Sequence, residues 1–172
     1  MKGERLKKLA QSLDALAEKD EFLMRKAQEV ESLRRSGAVE IYGICQEFVG
    51  ALNPMLKRMK LELQPEEYGE RSFSTERPNL LQINAHGRVV QIEFGSTDTL
   101  DSTEHFRKPY ILEGSIRSYN QELLERVEIQ EHQIFYCTGE RNQYAWHWFD
   151  VRTYRSGLFN LDYLAGLMEM LV

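Results

Sequence analysis

Cysteine is scarce in this chain. Only Cys45 and Cys137 occur in 172 residues, and neither belongs to a CxxC pair or a Cys/His cluster. That excludes a disulfide framework and any zinc module of known spacing, and leaves both as packed thiols. Long apolar runs are missing too: no uncharged stretch approaches the roughly 18 residues of a membrane span. The opening stretch "MKGERLKKLAQSLDALAEKDE" alternates charge with single leucines. It offers no apolar core and no small-residue cleavage site, so no secretory signal is expected and a cytoplasmic location is the default. There is no GxGxxG or GxxxxGK[ST] loop to cradle a phosphate, no nucleophile elbow, no internal repeat and no low-complexity segment. No cofactor and no catalytic residue is therefore assigned.

Hydrophobic residues at 42% and charged residues at 28% are ordinary for a globular fold, which removes wholesale disorder and fibrous repeats from consideration. The net charge of −5 is unevenly spread. Residues 1–60 carry 12 Lys/Arg against 9 Asp/Glu, whereas residues 61–172 carry 10 against 18. An acidic C-terminal two-thirds repels phosphate backbones, so nucleic acid is disfavoured as a partner. The short basic clusters Arg5–Lys8, Arg34-Arg35 and Lys57–Lys60 read as solvated helix edges.

From Leu6 onward the apolar residues fall on a seven-residue frame. Leu6, Leu13 and Ala27 occupy one seam position, and Leu9, Leu16, Leu23 and Val30 the other, which is coiled-coil spacing. Asp20 interrupts the first set and Arg34 ends it. A helix from Lys2 to Arg35 would reach about 50 Å at about 1.5 Å per residue. A small sheet cannot cover so long a stripe, so these residues are the candidate interface for a second copy, parallel or antiparallel, or for another helical protein.

Ser36-Gly37 weakens the helix, and the spacing then broadens. Ala38, Ile41, Tyr42, Cys45, Phe48, Val49, Leu52, Met55, Leu56 and Met59 form a 3-4 stripe suited to burial against a core. Asn53-Pro54 should end or kink it. Residues 2–59 are thus expected to be either a hairpin folding at Ser36-Gly37 or one rod bent there, with Gly43 and Gly50 available for close helix approach.

After Leu61 the period becomes two. In "NLLQINAHGRVVQIEF" the pair His86-Gly87 supplies a two-residue hairpin turn. Pairing Ala85 with Arg88 sets Ile83 opposite Val90, Leu81 opposite Ile92, Gln82 opposite Gln91 and Asn84 opposite Val89. A second hairpin is expected at Glu131-His132, with Ile129 against Ile134 and Val127 against Tyr136. "PYILEGSIRSY" places Tyr110, Leu112 and Ile116 on one face, and residues 119–122 could turn that strand back. With a short strand at Lys60–Leu63 the count is five or six. Asn160 reads as the N-cap of a closing helix striped by Leu161, Leu164, Leu167, Met168 and Leu171, with Asp162 in its first turn.

The fold expected is α+β: a long N-terminal helix or helical hairpin, a five- to six-stranded curved antiparallel sheet, and a short C-terminal helix packed on it. The division is a helical interaction region at 1–59 and a sheet domain at 60–172. Two long loops, Gln64–Pro78 and Gly95–Lys108, are the places to look for a site.

"QYAWHWFDVRTYR" puts Tyr144, Trp146, Trp148, Asp150, Arg152 and Tyr154 on one face of a strand and Ala145, His147, Phe149 and Val151 on the other. This strand reads as central and covered on both sides, by the C-terminal helix on one face and residues 38–59 on the other. The alternative is an aromatic pocket in which Tyr144, Trp146, Trp148, Arg152 and Tyr154 bind a small molecule, unless Asp150 takes up the arginine. His147 is read as a hydrogen-bonded structural residue. Asp98, Asp101, Glu104 and His105 match neither a calcium loop nor HExxH, so short-helix capping is their role and no metal is assigned. The function expected is non-enzymatic: an interaction or adaptor protein acting through its N-terminal helical region, with small-molecule binding on the aromatic/arginine face as the alternative. A hydrolase or transferase ranks third and nucleic-acid binding fourth.

Overall fold

The computed structural model describes residues 2–121 and 129–172. Its elements are a helix α1 (Lys2–Leu52), seven strands and a closing helix α2 (Leu161–Glu169). The strands are β1 (Glu62–Gln64), β2 (Asn79–Ala85), β3 (Arg88–Ser96), β4 (Tyr110–Asn120), β5 (Gln130–Thr138), β6 (Tyr144–Asp150) and β7 (Arg155–Leu158). They form one antiparallel sheet in chain order, each strand bonded to its sequence neighbour. The fold is α+β. No helix among the described residues is long and apolar enough to cross a membrane.

The chain divides into two compact units, Met1–Leu33 and Arg34–Val172. The first is the leading part of α1 alone. The second contains the remainder of α1, the sheet and α2, so residues 34–52 share a unit with the strands.

The hairpin at Ser36-Gly37 does not form, because helix runs uninterrupted through both residues. Gly37 is there for space. A Cβ at this position would lie 2.6 Å from the Tyr136 ring, and the bare backbone lets the Trp146 indole N–H donate to the Gly37 carbonyl at 2.7 Å. By contrast a Cβ at Gly43 or Gly50 would meet nothing within 4 Å, so no close approach occurs at either. The helix does stop where proline requires: Leu52 is its last residue, and Asn53–Met55 form a single 3₁₀ turn. Within the second unit Ala38, Ile41, Tyr42, Cys45 and Phe48 are buried at the expected 3-4 spacing.

The sheet's helix-side face is built from alternate residues of the strands. Leu81 and Ile83 of β2 pair with Ile92 and Val90 of β3 in the register expected from the sequence, and all four are buried. His86 and Gly87 both take positive φ, 52° and 88°, the conformation a two-residue hairpin turn demands. Leu112, Ile116, Ile134 and Trp146 continue the core across β4, β5 and β6. Each such aliphatic side chain contributes roughly 1.5–3 kcal/mol by leaving water. The helix α2 is capped by Asn160, whose side chain accepts from the Tyr163 N–H at 2.9 Å, and it buries Leu164, Leu167 and Met168.

Three strand expectations need correction. Glu131 and His132 are not a turn: they lie inside β5, paired with Arg117 and Ile116 of a β4 that extends to Asn120. Neither is a glycine, and the His132 ring is occupied by contacts with Trp148 and Tyr163. The expected pairing of Val127 with Tyr136, and Glu122 of the proposed 119–122 turn, lie outside the described residues. Tyr110 and Leu112 do not share a face, since the register shifts between them: Tyr110 pairs with Cys137 and Leu112 with Tyr136. A seventh strand, β7, adds to the five or six. It is four residues long and too short for alternation to show.

Candidate functional site

In the first unit the heptad positions are open to solvent. Leu6, Leu9, Leu13, Leu16 and Leu23 are 45–65% exposed. Ala27 is exposed as well, while Val30, last of the set, is buried. Met24 flanks the seam and Phe22 lies on another face of the helix; both are exposed. Along this helix Lys2, Arg5, Lys7 and Lys8 oppose a single acid, Glu4, before residue 9. Residues 14–21 reverse the balance, with Asp14, Glu18, Asp20 and Glu21 against Lys19.

In the second unit the aromatic ladder separates into a core part and a turn part. Trp146 is 1% exposed, edge-on to Phe94 at 5.4 Å, and Tyr136 stacks on Tyr144 at 5.3 Å. Trp148 lies parallel to the Tyr163 ring of α2, 5.2 Å away and tilted by 4°. A Cβ on Gly157 would meet its indole nitrogen at 2.9 Å. Contacts to α1 at Gly37 and to α2 at Tyr163 therefore fall on the same face of β6. The expectation that the two helices take opposite faces is corrected, because Trp146 and Trp148 share a face by strand alternation. The strand ends at Asp150, and the next four residues turn. Arg152 and Tyr154 thus leave the alternation of Tyr144, Trp146 and Trp148.

Asp150 organises that turn. Its carboxylate accepts from the Arg152 N–H and the Thr153 hydroxyl, each at 3.0 Å, and lies 3.8 Å from both the Arg152 Nε and the His132 Nε2. The Arg152 N–H bond is the largest of the effects that hold the Asp150 carboxyl below the usual carboxylate range. The His132 Nδ1 is 2.8 Å from the Tyr163 hydroxyl. Burial lowers the His132 pKa despite the nearby carboxylate, and the same burial pushes the Tyr163 phenol far up. This Asp–His–Tyr chain lies between sheet and α2. Through Tyr163 it holds α2 against the sheet.

A second polar pair sits on the opposite face. The Cys137 Sγ is 3.1 Å from the His147 Nδ1, which is also 3.1 Å from the Ala145 carbonyl. Burial raises the Cys137 thiol to about 11 and lowers the His147 pKa. Burial thus favours the neutral form of both groups. Burial likewise pushes Cys45 up to about 12.

The long loop between β3 and β4 covers part of this outer face. Phe106 drops onto it, stacking on Phe135 at 4.9 Å beside Tyr110 and Cys137. Arg34 holds the loop's start: its Nε donates to the Ile111 carbonyl at 3.0 Å, and its Nη2 to the Thr97 hydroxyl and the Thr99 carbonyl, each at 2.9 Å. Arg35 donates to the Glu70 carbonyl at 2.8 Å and lies over the Phe73 ring. The basic pair expected to be a solvated helix edge is therefore a structural anchor. Asp98, Asp101 and Glu104 do not converge with His105 on a common point, and no group of three or more His, Cys, Asp or Glu among the described residues is placed to hold a metal.

Of the depressions on the outer face, two border the long loops. One, of about 550 Å³, has charged walls that include Arg77, Glu93, Glu113 and Arg117. The other, of about 480 Å³, lies between residues 103–107 and the β6–β7 turn and is lined by Phe106, Arg107, Phe149 and Tyr154 among others. Of the five residues expected to bind a small molecule, Tyr154 alone lines the second. Phe106, Arg107 and Phe149 were not singled out from the sequence, although a lone phenylalanine inside the polar stretch "STEHFRK" is a signal that something buries it. Comparison with protein-family models, curated proteins and solved structures finds no match to this chain.

Proposed function

We propose that the chain works by protein–protein association, its N-terminal heptad seam packing against the same seam of a second copy. The observation that carries this reading is the exposure of Leu6, Leu9, Leu13, Leu16 and Leu23, five leucines on one stripe of a continuous helix. A contiguous apolar stripe rimmed by charge marks an interaction surface, and 3-4 leucine spacing is what a second helix packs into.

Charge favours an antiparallel arrangement. A parallel, in-register pair would set the two Asp20 carboxylates against each other in the seam and the basic first turns side by side. Reversing one helix relieves both repulsions and points the Lys2–Lys8 end of each toward the acidic 14–21 stretch of the other.

Light scattering during size-exclusion chromatography tests it. The wild-type chain should elute at twice its 20.2 kDa mass, and Leu13→Glu/Leu16→Glu should return it to the single-chain mass with the tryptophan near-UV signal unchanged. A wild-type chain that stays at the single-chain mass at tens of micromolar would overturn the proposal.

A further inference from the structure

The outer-face cleft of about 480 Å³ falls in the size range of small-molecule sites. Its walls come from two segments far apart in sequence. Phe106, buried, meets Phe149 edge-on at 5.7 Å. Phe149 in turn meets Tyr154 edge-on at 6.2 Å. The three rings form a continuous aromatic wall whose outer member is open: Tyr154 is 82% exposed.

Tyr154 is also held where a tyrosine is disfavoured. Its φ is 58°, in the left-handed region that favours glycine. The turn fixes it there, because the Tyr154 N–H donates to the Asp150 carbonyl at 2.8 Å while the Asp150 side chain takes the Arg152 N–H and the Thr153 hydroxyl. A glycine would satisfy the turn at lower cost. Keeping a large exposed ring there preorganises one wall of the cleft.

The polar lining is equally specific. Arg107 borders the cleft, and among the described residues no carboxylate lies within ion-pair distance of it. Glu104, the one acid in the lining, sits 4.0 Å from the His105 Nε2. Thr103 and Ser156 complete the lining. Aromatic walls take the faces and edges of a flat ring, and a guanidinium takes a carboxylate through two parallel N–H bonds.

From these placements we infer that the cleft binds a planar aromatic carboxylate, its ring against Phe149 and Tyr154 and its carboxylate on Arg107. The larger charged depression lacks such an aromatic wall, and its Arg77 and Arg117 share it with Glu93, Asp98 and Glu113.

The test is an amide NMR titration of the full chain with 2-naphthoate, and in parallel with 2-naphthol, which keeps the ring and lacks the carboxylate. Naphthoate should give saturable shifts at Phe106, Arg107, Phe149 and Tyr154. Arg107→Gln should weaken naphthoate about fivefold or more and leave naphthol within about twofold. Tyr154→Gly, which suits the left-handed backbone and should fold, should weaken both about threefold or more. The inference is overturned by an absence of saturable shifts in the cleft up to millimolar naphthoate, by shifts confined to Leu6–Leu23, by naphthoate affinity unchanged in the two variants, or by Arg107→Gln weakening both compounds equally.

Discussion

The indole nitrogen of Trp146 donates a 2.7 Å hydrogen bond to the carbonyl of Gly37, 109 positions earlier in the chain. This contact ties the sheet to the helix at a glycine whose missing side chain leaves room for the Tyr136 ring. An indole N–H buried without an acceptor costs about 1–3 kcal/mol, so the bond fixes where the helix must present bare backbone.

Gly37→Ala therefore should destabilise the chain although alanine is the better helix former. The gain in helix propensity is about 1 kcal/mol. Against it, a methyl group would lie 2.6 Å from the Tyr136 ring, and overpacking of this kind costs about 1–3 kcal/mol before the Trp146 bond is counted. Urea unfolding followed by tryptophan emission should show a lowered midpoint. A raised midpoint would mean that Tyr136 can move aside freely.

Arg34→Gln should lower stability by about 2 kcal/mol, the scale of losing charge-assisted hydrogen bonds from a partly buried guanidinium. Three of its acceptors are the Ile111 carbonyl, the Thr97 hydroxyl and the Thr99 carbonyl. Amide exchange should speed up across 97–100 first. Arg34→Lys should rescue little, because a point charge cannot fork to acceptors on two segments. Full rescue by lysine would show that charge alone matters there.

Acid should weaken the fold from about pH 6.5 downward. Burial lowers the pKa of both His132 and His147 from 6.5, so the unfolded chain takes protons that the folded chain refuses. Their contribution is complete above the unfolded value and is lost as pH falls from it through the lowered folded values. Asp150 adds a second, more acidic step, present above 3.8 and lost below it through its depressed folded value. His132→Gln should flatten the first step in part, since His147 remains. A urea midpoint that is flat or rising from about pH 7.5 to about pH 5 would contradict this.

The legible parts of the fold are those where local pattern decides. The β2–β3 register followed from Gly87 and strict alternation in its flanks, and every expected pair is present. The α2 cap followed from Asn160, and the end of α1 from Pro54. What failed depended on distant partners. Gly37 reads as a helix breaker until the Tyr136 ring is seen beside it. One inserted residue, Ile111, turns Tyr110 away from Leu112, and alternation alone cannot show a bulge. Strand period says that Trp146 and Trp148 share a face, but not that α1 and α2 both cover it. Of the cleft, the 95–108 loop and Tyr154 were each legible as places to look, but not their union: Phe106 and Tyr154 belong to different loops, and the fold alone makes them neighbours.

Assembly through the leucine stripe is tested by energy transfer between copies of the full chain labelled at Gln11→Cys, an exposed helix position outside the seam. The native Cys45 and Cys137 are buried, which makes the labelling selective. Mixing donor- and acceptor-labelled chains should produce transfer that unlabelled wild-type chain chases away and that the Leu13→Glu/Leu16→Glu chain does not. No transfer at any concentration, or equal competition by the Leu13→Glu/Leu16→Glu chain, would contradict assembly through this stripe.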